Sequence, residues 1–111
     1  MNIPEFQYHI YEVAFSSEIC DIPLVSRISP TSINLRIYLT VGGFIDVFCN
    51  QESNRVAYAL IQEGQRIYGA DNTGGWHVHP FADPTQHVSI ISEMCFLDFV
   101  TAIEKFYQQQ N

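Results

Sequence analysis

Hydrophobic and polar residues alternate strictly from Ile33 to Thr40: Ile33, Leu35, Ile37 and Leu39 fall on one side, Asn34, Arg36, Tyr38 and Thr40 on the other. A period of two marks a strand with one buried face. Gly42-Gly43 follows, a pair that tolerates positive φ and suits a tight hairpin. Strand character resumes from Phe44 to Cys49, then after the polar turn 50–54 from Arg55 to Gln62, and after Glu63-Gly64-Gln65 from Arg66 to Ala70. Such short turns join antiparallel neighbours, so these four runs form a meander. Phe6 to Phe15 is aromatic and β-branched enough to read as a further strand. Residues 16–27, interrupted by Pro23, are either a short helix or an irregular crossing, and 25–29 can begin another strand. Near the C-terminus Phe96, Phe99, Val100, Ile103, Phe106 and Tyr107 recur at three- and four-residue spacing, which predicts an amphipathic helix capped by Ser89 or Ser92. The expected fold is α+β: a single domain, residues 1–111, with an antiparallel β-meander of about five strands packed against one long C-terminal α-helix.

Length fits that picture, since 111 residues can bury a core without metal or disulfide support. No apolar run approaches the roughly 18 residues of a membrane helix, and the N-terminus lacks the basic-then-apolar pattern of a signal peptide. Cys20, Cys49 and Cys95 are odd in number and lack Cys-x-x-Cys spacing, so free thiols in a reducing cytoplasm are expected. Net charge is −7, which disfavours nonspecific binding to phosphate backbones. The charges are unevenly spread, however. Only acids precede residue 27, whereas Arg27, Arg36, Arg55 and Arg66 all fall in the middle. Either one face of the middle is locally positive or the arginines are scattered and solvated.

Residues 71–87 hold three of the four histidines, the only tryptophan and two of the five prolines. His77 and His79 are two apart, so in extended backbone both rings lie on one face. His87 can fold back towards them after the Asp83-Pro84 turn, Asp71 ends the last strand, and Trp76 is expected to anchor the loop against the sheet. Three readings follow. Imidazoles with a carboxylate suit a transition metal, although no His-Glu-x-x-His or cysteine pattern accompanies them. One neutral and one charged imidazole suit proton transfer, with an arginine and a tyrosine steadying negative charge; Arg36, Tyr38, Asp46, Tyr58, Arg66 and Tyr68 are the candidates from the sheet. RNA cleavage through its own 2′-hydroxyl needs only such groups and no cofactor. The third reading is structural, the rings fixing the loop's path by hydrogen bonds to the backbone.

The run Leu35-Arg36-Ile37-Tyr38-Leu39, the hairpin Gly42-Gly43-Phe44-Ile45-Asp46-Val47, then Tyr68, Asp71-Asn72 and His77-x-His79-Pro80-Phe81 through His87-Val88 resemble the TumE-type toxin family of prokaryotic toxin–antitoxin systems over roughly residues 33–105. The family segment is typically more basic and has adjacent histidines, whereas Val78 separates them here. The resemblance implies an α+β domain, a cytoplasmic setting, a cognate antitoxin and an RNA-directed toxic activity, with Asp71, His77, His79 and His87 matching the polar positions of the motif. The expected catalytic set is therefore His77 and His79 as the acid/base pair with His87 and Asp71, and the expected substrate contacts are Arg36, Tyr38, Arg66 and Tyr68. Neither metal nor cofactor is assigned. An antitoxin or a second copy of the chain is the expected partner, RNA is admitted but disfavoured by net charge, and no membrane is involved. The alternatives are a noncatalytic binding or assembly module with a structural histidine loop, and a His/Asp metal-binding protein.

Overall fold

The computed structural model describes residues 2–110. The chain runs α1 (Ile3–Ser16), β1 (Leu24–Ile28), β2 (Ser32–Tyr38), β3 (Phe44–Asn50), β4 (Arg55–Gln62), β5 (Gln65–Asp71), β6 (His77–His79), β7 (Val88–Ser89) and α2 (Phe96–Gln109). The strands form one antiparallel sheet of seven in the order of the sequence. The central meander lies where the alternation places it. Gly42 and Gly43 carry φ of +99° and +75° at the β2–β3 connection, and Glu63-Gly64 closes a two-residue hairpin with positive φ at both positions.

Three parts differ from the sequence reading. Residues 6–15, read as a strand, belong to helix α1. Its apolar residues Ile3, Phe6, Ile10, Val13 and Ala14 recur every three or four positions and are all buried. That periodicity outweighs the local β propensity of the aromatic residues. Asn2 caps α1, its side-chain oxygen accepting from the Glu5 N–H at 2.9 Å, and a proline stands in the first turn, where its missing N–H costs nothing. The histidine segment, read as a loop, contributes two short strands, β6 and β7, so the sheet has seven strands rather than about five. Helix α2 begins at Cys95 as N-cap rather than at Ser89 or Ser92; the Asp98 carboxylate accepts from the Cys95 N–H at 3.3 Å.

Both helices cover the same face of the sheet. Ile33, Leu35 and Ile37 of β2, Ile45 and Val47 of β3, Tyr58 and Leu60 of β4 and Tyr68 and Ala70 of β5 are buried beneath Phe6, Ile10, Phe96, Phe99 and Ile103. An aromatic column runs through this core: Phe106 on Phe81 at 3.9 Å between ring centroids, Phe81 on Tyr68 at 4.2 Å, Tyr68 on Phe99 at 5.0 Å, and Phe99 on Tyr58 at 5.1 Å. Stacking of this kind adds to the burial of the rings. Trp76 packs against the core beside Tyr58, as expected of a loop anchor. Among the described residues no helix is long and apolar enough to cross a membrane, and Cys20, Cys49 and Cys95 are unpaired. The opposite face of the sheet carries no helix, and the candidate site lies there.

Candidate functional site

Strand register decides which side chains share the open face. Arg36, Asp46, Ala59, Gly69 and His79 form one cross-strand row, and Asn34, Phe48, Ala57, Asp71, His77 and Ser89 form the next. Asp71 therefore faces His77 directly and is diagonal to His79. The Asp71 Oδ2 lies 3.1 Å from His79 Nε2, and its Oδ1 lies 3.7 Å from His77 Nδ1. His87 folds back as the spacing predicts. Its ring meets that of His79 edge-on at 4.4 Å and that of His77 at 5.8 Å. One carboxylate and three imidazoles thus meet at one end of the sheet.

Local backbone chemistry explains the convergence. Gly69 sits opposite His79, and a Cβ there would lie 3.4 Å from the ring and 3.2 Å from the Arg66 side chain, so the glycine leaves room for both. The 72–75 turn reverses the chain between β5 and β6, with Gly74 and Gly75 both at positive φ. Asn72 stitches that turn to β4, accepting from the Val56 N–H at 2.8 Å and donating to the Asn54 carbonyl at 2.7 Å. Phe81, locked between Tyr68 and Phe106, fixes the start of the loop that returns to His87. Arg66 holds the same loop by donating to the Pro84 carbonyl at 3.2 Å.

Burial separates the roles of the rings. His79 is 2% exposed, the His77 side chain is 21% exposed, and His87 is exposed. Burial alone would raise the Asp71 pKa, but the Thr73 N–H at 3.0 Å, the His79 ring and the neighbouring His77 outweigh it, so the carboxyl lies below its ordinary value. An ionised carboxylate only accepts, so His79 donates to Asp71 from Nε2, with Nδ1 on the other side of the ring. That Nδ1, like the Nδ1 of His77, is buried without a hydrogen-bond partner. Unpaired buried nitrogens are costly, and two of them in one cluster mark a place where structure has been compromised. Among the described residues, no group of three or more His, Cys, Asp and Glu side chains is arranged to hold a metal ion.

The expected substrate contacts divide. Arg66 lies beside the histidines. Arg36 and Tyr38 are on the open face but on β2, four strand intervals or about 19 Å from β6. Arg36 pairs with Asp46 at 3.1 Å and lies 4.0 Å from the centroid of Phe44. Tyr68 is on the other face altogether, buried between Phe81 and Phe99, and its contribution is to the core. The alternation within β5 does not reveal this in advance, because a bulge between Leu60 and Ile61 shifts the register at Arg66. Sequence reasoning also missed Phe81 as the residue that ties the loop to the core. Comparison with family models, with curated proteins and with solved structures finds no match. The functional reading therefore rests on the geometry.

Proposed function

We propose that the protein is a toxin-like enzyme of the prokaryotic toxin–antitoxin kind that cleaves RNA by histidine acid/base chemistry. The observation that carries this reading is the convergence of His77 and His79 on one ionised carboxylate, with the exposed His87 ring against both, at one end of the sheet. His77 and His87, the two rings open to water, transfer protons to and from the ribose 2′-hydroxyl and the leaving oxygen. Asp71 stands behind His77, and His79 holds Asp71 from below. Arg66 steadies the charge that develops on the phosphate. The test is growth inhibition on expression in cells, together with RNA degradation by purified protein, for wild type and for His77→Gln with His87→Gln. Loss of both activities with an unchanged fold is expected. Retention of either activity by the double variant would refute the acid/base assignment.

A second reading is favoured by a different observation. β1 is an edge strand exposed along its whole length, and Leu24, Val25 and Ile28 present apolar side chains there, with exposed Ile22 just before it. Such an edge suits pairing with a strand of a protein partner, an antitoxin or a second copy of this chain. In that reading the protein is a binding module and the histidines are structural. Light scattering on the purified protein, alone and with the product of a neighbouring gene, tests it. A monomer that captures nothing would exclude it.

A further inference from the structure

The open face contains more cationic chemistry than the histidine cluster uses. All four arginines lie in strands, and register places each of them on this face: Arg27 opposite Asn34, Arg36 opposite Asp46, Arg55 opposite Asn50 and stacked 5.7 Å from the Phe48 centroid, and Arg66 beside Gly69. The strands contain only two acids, Asp46 and Asp71, and both are already engaged, by Arg36 and by the histidines. The other ten of the twelve acids lie in helices and connections. Among the described residues Arg27, Arg55 and Arg66 have no carboxylate partner, although acids outnumber basic residues by twelve to five. Segregation of this kind gives an acidic protein one positive face.

Shape agrees with charge. Ala57 and Ala59 floor a hollow of about 210 Å³, walled by Phe48 and Asn34 on one side and by Arg36 with Asp46 on the other. A second hollow, lined by Arg55 and the 72–74 turn, lies next to Asp71. Tyr38 is exposed on the same face. Small residues thus open a trough over the middle strands, with Phe48 and the Asp46-paired Arg36 at its walls, Arg55 lining the neighbouring hollow, and the cross-strand rows through Ala57 and Ala59 running on to His77 and His79.

We infer that this trough is a track for single-stranded RNA, with Arg27, Arg36 and Arg55 meeting phosphates and Phe48 and Tyr38 stacking on bases. Charge complementarity selects a polyanion, and flat rings beside guanidinium groups select one whose bases are unpaired. The distance of about 19 Å from β2 to β6 suits the shorter of the footprints, about 4–16 nucleotides, that single-strand binders use. The choice of RNA rests on the acid/base reading of the histidines; the track itself rests on the arginines and the trough.

The experiment is fluorescence anisotropy with a labelled single-stranded RNA of about 12 nucleotides carrying 2′-O-methyl groups, which block cleavage but leave phosphates and bases intact. The comparison is a duplex of the same sequence. Wild type is expected to bind the single strand more tightly than the duplex. Arg27→Ala with Arg55→Ala should weaken binding about tenfold or more and flatten the slope of log affinity against log salt by about 1.4, the share of two phosphates. Tyr38→Ala, at an exposed position, and Phe48→Leu, which keeps the volume apolar, should weaken binding without that change of slope. Absence of binding at low salt, equal binding of the duplex, or an unchanged salt slope in the double arginine variant would overturn the track. The His77→Gln, His87→Gln protein separates the two claims. If it binds like wild type and still cleaves unmodified RNA, the acid/base assignment fails and the track stands; if wild type cleaves RNA but the arginine variant binds and cleaves equally well, the track fails and the assignment stands.

Discussion

The bond between Asp71 and His79 yields the most quantitative prediction, because it depends on geometry alone and not on any activity. His79 is 2% exposed, so water cannot replace its partner. The donor–acceptor distance is 3.1 Å and the acceptor is ionised. A hydrogen bond to a charged group contributes about 1.5–3 kcal/mol. Asp71→Ala, His79→Ala and the double variant form a cycle in which the cavities left by the missing side chains cancel, so the coupling energy reports the bond itself. At neutral pH that coupling should be about 1.5–3 kcal/mol, and Asp71→Ala alone should lower the melting temperature by roughly 5–20 °C for a domain of this size. The pH dependence has a definite sign. Asp71 titrates lower in the folded protein than its ordinary value of 3.8, since the Thr73 N–H and the His79 ring favour the ionised form. A depressed carboxylate stabilises the fold fully above 3.8, and that stabilisation is lost as pH falls through the lower, folded value. Urea denaturation of all four proteins at neutral pH and at a series of pH values below 4 measures both effects. A coupling under about 0.5 kcal/mol at neutral pH, or one that does not shrink on acidification, would refute the assignment of an ionised Asp71 bound to His79.

Two further predictions concern a support of the site and the turns of the sheet. Phe81→Ala removes the ring locked between Tyr68 and Phe106 and should cost about 2–3 kcal/mol, less than full burial of a phenylalanine because Phe81 is only partly covered. Amide hydrogen exchange should then rise across residues 80–87 more than in β2–β4; uniform loosening, or none, would show that the loop is held elsewhere. Gly43→Ala places a Cβ at φ +75° in collision with the Ile61 carbonyl oxygen and should cost at least about 2 kcal/mol, whereas Gly74→Ala, at φ +66° with nothing within 4 Å, should cost about 1 kcal/mol by thermal denaturation. Equal effects at the two glycines would show that conformational strain, not the collision, sets the cost at Gly43.

The legible parts of this fold are those where one periodicity dominates. Residues 33–70 alternate with one face buried, and the four middle strands fall where that pattern puts them to within one or two residues. Helix α2 is announced equally clearly by its stripe of Phe96, Phe99, Val100 and Ile103. Helix α1 is not, because Phe6, Tyr8, Tyr11 and Phe15 supply β-forming residues to a segment whose burial repeats every three or four positions. Its exposed Tyr8 and Phe15 blur the apolar stripe further. The convergence of His87 with His77 and His79 was readable from the prolines and the i, i+2 spacing. Burial was not: nothing in His-Val-His says which ring lies under the other. That follows from Gly69, a missing side chain on the neighbouring strand that lets His79 sink into the sheet.

For the proposed RNA track, a net charge of −7 and a polyanionic ligand need not conflict. Net charge governs attraction at distances beyond the Debye length, about 8 Å at physiological ionic strength, and is screened there. Inside that length a ligand meets the face it touches. On the open face that means four arginines, two carboxylates already engaged and an exposed imidazole. A solvated pair such as Arg36–Asp46, each side chain about two-fifths exposed, adds little to stability, so a phosphate can compete for Arg36 at small expense. If RNA takes the proposed track, the acids on the helices would act against wrong binding modes by repelling it from those surfaces. On this argument the acidic bulk and the basic sheet belong to one device. Neutralising the helix acids Glu5, Glu12 and Glu104 should raise nonspecific RNA binding without strengthening binding in the trough.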